Sequence, residues 1–295
     1  MGAREKLLSY MQEAGETGRR EMAAAVGVSH VMIGRLVKQL EAEGILSEAG
    51  MAPSGGGRPE KRYRYNGTHA CALLFRLEEA NNIGTLELLD MQGRLMEQKS
   101  ARFTRIHAEM LDDWLDELTR RWHKKVRRIA LHLPESTESA ELRHQMQERR
   151  QVTVKRINAA EALADGCSNT ITLFCQKGFT PHAAQRGKRE LHPCPHLHHL
   201  PLPARWESMD YSDHTLVEEM LCRLLQLLIC TGNPERVVLH CNYLTERLLT
   251  RIRYNLSTKL KGMRQPPRLH FRSTTPEQLN QALRKAATRE TIRNG

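Results

Sequence analysis

The sequence predicts an α/β protein with a winged helix-turn-helix over residues 1–68, followed by a larger α/β body over 69–295. Three observations carry this. Apolar residues recur at helical spacing in three successive stretches, each closed by a glycine: Gly15, Gly27 and Gly44. Residues 53–66 join a Gly-Gly-Gly-Arg-Pro turn to a basic segment with alternating tyrosines. Beyond residue 70, strand-like alternation such as Ile129, Leu131 and Leu133 is interleaved with helix-like stretches such as 217–230.

Leu7, Leu8 and Met11 give a first helix its apolar face, and that helix ends near Gly15. The second helix spans 19–26 with Met22, Ala23 and Val26 inward, and Gly27 makes the sharp turn between the paired helices. Ser29 is the expected N-cap of the third helix. There Ile33, Leu36, Val37 and Leu40 repeat every three or four residues and face inward, which leaves His30, Val31, Gly34, Arg35 and Lys38 outside. Tyr63 and Tyr65, alternating with basic residues, suit the second strand of a wing.

In that order, helix, Gly turn, capped helix, Gly stop and basic hairpin point to a DNA reader rather than a three-helix subdomain with solvated charges. The expected contacts are Ser29, His30 and Val31 at the groove edge and Arg35 on bases or a phosphate. Lys38 is expected on the backbone, Arg58 in an adjacent minor groove, and Lys61 and Arg62 on the wing.

The formal charge is +11, yet residues 1–70 hold ten Arg or Lys against eight Glu, so most of the excess lies in the body and net charge alone does not locate the site. Seven scattered cysteines, an odd number, fit reduced thiols better than a disulfide framework. The chain opens on a charged amphipathic helix, and its apolar stretches are short or broken by Gln226. These features predict a cytoplasmic protein without a cleaved signal or membrane span.

The helix-turn-helix, the Gly-Gly-Gly-Arg-Pro linker and the body behind them resemble the repressors of the ROK family, which also contains sugar kinases. The resemblance implies a degenerate actin-like, sugar-kinase-like domain of two lobes behind the winged helix. Residues 72–75 and 84–90 with Gly93 resemble the family's opening strand pair, and 127–134 its next central strand. The stretch 158–164, Asn-Ala-Ala-Glu-Ala-Leu-Ala, resembles an Ala-rich helix that follows the family's catalytic Asp. The helix at 217–230, Asn233-Pro234 and the strand 236–239 resemble its closing helix, turn and buried strand.

Departures from the family's pattern decide the expected activity. A kinase of this fold needs Gly-rich turns so that backbone amides can close on phosphate oxygens. The first such turn reads Arg76-Leu77-Glu78-Glu79-Ala80-Asn81, and the second, after a strand at 170–175, keeps only Gly178. Where the resemblance places the general base, the sequence has Arg156-Ile157. No catalytic residue is therefore expected, and phosphoryl transfer lacks both base and cradle. Glu190 stands where the family carries a sugar-binding Glu.

His192, Cys194, His196 and His198 are candidate zinc ligands, since zinc favours four nitrogen or sulfur donors and the resemblance implies a structural zinc formed by a His and a Cys cluster. The paired-Cys spacing is absent, Pro193 and Pro195 stiffen the segment, and a His-rich loop is the competing reading. The run 120–128 reads as a solvated helix end, with Trp114, Leu115, Leu118 and Trp122 as its apolar side. Cys222 and Cys230 read as core residues of an apolar helix.

The expected protein is a transcription regulator, a repressor, binding a double-stranded operator as a homodimer or higher oligomer, with no membrane partner. Its body senses a small molecule or a protein partner, or mediates assembly, with no cofactor unless zinc is bound. A carbohydrate kinase with an appended reader and a metal-responsive regulator are the alternatives.

Overall fold

In the computed structural model, the described residues are 2–289 except 53–58, 79–81, 104–105, 123–125, 134–136, 178, 188–189, 195–196, 198–201, 203–204 and 264. The chain forms two compact units, one of residues 1–156 together with the chain from Arg284 onward, the other of 157–283. Among the described residues no helix is long and apolar enough to cross a membrane.

The N-terminal segment comprises α1 (Ala3–Ala14), β1 (Glu16–Gly18), α2 (Arg19–Val26), α3 (His30–Ala42), β2 (Leu46–Met51) and β3 (Lys61–Tyr65). Its three strands pair antiparallel in the order β1-β3-β2. The α2–α3 turn depends on Gly27, whose φ of 74° lies in the left-handed region that side chains disfavour. Leu7, Met11, Met22, Ile33, Val37 and Leu40 are wholly buried and close the helices on one another, with Tyr63 and Tyr65 beneath. Burying each such side chain contributes roughly 1.5–3 kcal/mol before entropy is counted.

The core of this segment continues past residue 68. Ala70, Ala72 and Met91 belong to the same cluster, the side-chain amide of Gln12 donates to the Met91 carbonyl at 3.2 Å, and Met91 N–H donates to Gly67 O at 2.8 Å. The N-terminal helices and their small sheet are thus packed on the lobe that follows them in the first unit.

That lobe holds β4 (Cys71–Glu78), β5 (Ile83–Asp90), β6 (Leu95–Arg102), α4 (Ala108–Trp122), β7 (Val126–His132), α5 (Thr137–Arg150) and β8 (Thr153–Arg156). The sheet runs β6-β5-β4-β7-β8, with an antiparallel meander followed by two parallel strands. Leu73 and Phe75 of β4, Leu86 and Leu88 of β5, and Ile129 and Leu131 of β7 meet Leu111, Leu115 and Leu118 of α4.

The second unit repeats the plan. After α6 (Ala159–Leu163) come β9 (Thr170–Cys175), β10 (His182–Arg186), β11 (Leu191–Cys194), α7 (His214–Gly232), β12 (Arg236–Cys241), α8 (Glu246–Lys259), β13 (Arg268–Arg272) and the start of α9 (Pro276–Thr288), whose residues from Arg284 on belong to the first unit. The sheet order is β11-β10-β9-β12-β13, again a meander and two parallel strands. Parallel strands need helical crossovers, which α7 and α8 supply, packing on Ile171, Leu173, Val237 and Leu239. One topology used twice is the actin-like architecture that the sequence resemblance implied.

Two packing expectations are corrected. Cys222 is buried, but Cys230 is exposed on the outer side of α7. Trp122, in the last turn of α4, remains 38% exposed, and its indole N–H donates to Glu97 Oε2 at 2.7 Å.

Candidate nucleic-acid interface

Ser29 takes an extended conformation and its hydroxyl oxygen accepts from Met32 N–H at 3.3 Å, so α3 begins where the sequence placed it. With Ile33, Val37 and Leu40 buried, the helix turns His30, Val31, Met32, Arg35 and Lys38 to solvent. Arg35 and Lys38 have no hydrogen-bond or ion-pair partner among the described residues. Near the far end of the helix, Glu43 is bound by Arg4 at 2.6 Å, whose hydrogen bond draws its carboxyl down to about 2.

The cations of β3 are differently placed. Lys61 reaches Glu48 on the neighbouring strand at 2.8 Å. Arg62 donates to both carboxylate oxygens of Glu21, at 3.1 and 3.0 Å, and to Glu16 O at 2.7 Å, which ties β3 to the start of α2. Glu21 also accepts from the Thr17 hydroxyl at 2.6 Å and from Gly18 N–H at 2.9 Å. The Thr17 bond first, then Gly18 and Arg62, hold its carboxyl at about 2. Arg58 lies outside the described residues. Arg64, absent from the expected contact set, is exposed on β3. Strand alternation opposite the buried Tyr63 and Tyr65 was the signal for it.

Two residues at the turn and base positions that the resemblance indicated are engaged in the fold. Arg76 extends from β4 to Glu87 at 2.7 Å, and of the first turn residues 79–81 lie outside the described residues. Ile157, at the base position, is 1% exposed. The next residue, Asn158, caps α6 by accepting from Glu161 N–H at 2.7 Å, while Glu161 accepts from Asn158 N–H at 3.0 Å. Gly178 lies outside the described residues, and Glu190 pairs with His192 at 3.2 Å.

Of the candidate zinc ligands, His192 is exposed on β11, whereas Cys194 packs against the core and its thiol is pushed up by burial. His196 and His198 lie outside the described residues. Among the described residues no three His, Cys, Asp or Glu side chains gather as a metal site.

No protein-family model matches the sequence, and no curated protein does. Solved structures do. The chain is similar to a ROK family transcriptional regulator described as a homologue of the E. coli MLC protein, with 12% identity and a TM-score of 0.67, over 97% of this chain and 95% of that one. It is also similar to a ROK hexokinase from Thermus thermophilus, with 15% identity and a TM-score of 0.50, over 74% of this chain and 97% of that one. The fold is therefore that of these ROK proteins, shared over nearly the whole chain with the first and over about three quarters of it with the second.

Proposed function

We propose that this protein is a sequence-specific DNA-binding transcription regulator, a repressor, whose actin-like body serves sensing or assembly instead of phosphoryl transfer. The observation that carries this reading is the outer face of α3, where Arg35 and Lys38 stand uncommitted on a helix fixed by its Ser29 cap. A long cation with no internal partner is available for a phosphate or a guanine edge. Lys61 and Arg62 are secondary. An exposed pair such as Lys61–Glu48 contributes only about 0–1 kcal/mol, so a phosphate can displace Glu48. The more fully bound Arg62 shapes the wing. One α3 helix covers few base pairs, so the active form is a homodimer on a two-fold operator.

Two supports bear on the body. Its likeness to a ROK regulator extends over almost the whole chain, reader and body together. The position where the resemblance puts a kinase's base holds the buried Ile157, and Arg76, at the start of the first turn, is paired with Glu87 of the neighbouring strand. Selection of bound fragments from genomic DNA tests the regulator reading, with enrichment of a two-fold related sequence expected. A parallel coupled ATP-turnover assay across hexoses and amino sugars should give no rate, and a robust one would restore the kinase alternative.

A further inference from the structure

Few large apolar side chains are exposed among the described residues, yet two of them are adjacent on the first turn of α3: Val31, 67% exposed, and Met32, 46%. Gly34 sits half-exposed in the middle of the same helix. Its φ is ordinary and an added Cβ would meet nothing within 4 Å, so the fold itself does not require glycine there. Glycine inside a helix is unfavourable relative to alanine, and exposed apolar side chains gain nothing from water. Three departures from what an isolated helix prefers, within four residues, thus lie on the exposed side of α3, beside two cations without partners and no acid from His30 to Gln39.

We infer that Val31, with Met32 beside it, reads thymine in the major groove by packing on the C5-methyl, and that Gly34 lets the backbone of α3 come close enough for this. The inference deepens the regulator reading and rests on it. The thymine methyl is the one apolar group on a base edge in that groove, and a branched aliphatic side chain is its natural complement. Val31 precedes Arg35 by four residues, about 6 Å along the helix axis. The methyl therefore lies one to two base steps, at roughly 3.4 Å each, from the base or phosphate that Arg35 engages. Duplex DNA is favoured over an apolar protein groove because Arg35 and Lys38 continue the same stripe.

The test uses the full chain and a selected genomic fragment, with each thymine of one half-site replaced in turn by deoxyuridine, which removes only the methyl. One or two positions should lose about threefold to fourfold in affinity. Val31→Ser, which leaves the buried face of α3 intact, should melt as the parent does and bind thymine and uracil duplexes alike. Uniform indifference to the methyl, or a Val31→Ser protein that still discriminates as the parent does, overturns the inference while specific binding to the unmodified duplex leaves the regulator reading standing. If no unmodified fragment is preferred, both fall.

Discussion

Glu87 of β5 is wholly buried and receives two hydrogen bonds from Arg284, near the end of α9, at 2.8 Å from Nε and 3.0 Å from Nη2. Arg76 completes the cluster at 2.7 Å. The carboxylate is therefore paired on both oxygens, the condition under which a buried charge is tolerated. Nearby, the Arg128 guanidinium donates to the carbonyls of Thr288, at 3.1 Å, and of Arg289, so the C-terminal turn of α9 is held by two arginine contacts.

Removing one partner leaves that charge undercompensated. Arg284→Ala should cost about 3 kcal/mol, the low end for breaking a buried pair, because Arg76 remains. Chemical denaturation of the two proteins checks this; a loss below half that figure would mean that the cluster is dispensable.

The same cluster gives a pH dependence of definite sign. Burial pushes the Glu87 carboxyl up, but Arg284 and Arg76 outweigh it and the group ends below its ordinary value. A depressed acid stabilises the fold above the unfolded value of about 4.3 and loses that contribution as pH falls through the folded one. In acid titrations followed by circular dichroism, Glu87→Gln should be less stable than the parent at neutral pH, and the gap should narrow below about pH 4.

Ser29 contributes a single capping bond. Ser29→Ala should cost about 1 kcal/mol in a denaturant titration, with weaker DNA binding because α3 frays at the end that meets the groove. An unchanged midpoint would remove the cap from the account.

Position 34 separates folding from binding. Gly34→Ala should raise stability by about 1 kcal/mol and lower DNA affinity. A protein that gains stability and binds DNA undiminished would show that α3 does not approach the groove closely.

What could be read from the sequence was what local rules govern. The Ser29 cap, the Gly27 turn, the bounds of α2 and the β9 strand at 170–175 follow from period, cap and turn chemistry within a few residues. What could not be read depends on distant partners. The strand β1 has three residues and exists through pairing with β3, the Arg62–Glu21 pair spans 41 positions, and the Arg284–Glu87 pair spans 197. Cys230 and Trp122 were assigned inward because hydrophobic character says which residues favour burial, while helix rotation against its neighbours decides which achieve it. At the candidate interface, exposure of Arg35 was legible from period alone, but its lack of a partner, and the engagement of Arg62 by Glu21, required the fold.

The most direct measurement is the salt-dependent affinity of the full chain for a selected genomic fragment and for a scrambled duplex, for the parent, Arg35→Ala and Lys38→Ala. The parent should prefer the selected fragment. Arg35→Ala should lose about 1–3 kcal/mol on that fragment and most of the preference, whereas Lys38→Ala should weaken both duplexes alike and reduce the salt slope by about one. Equal binding of the two duplexes by the parent, or full specific affinity in Arg35→Ala, would contradict the assignment of α3 as the reading helix.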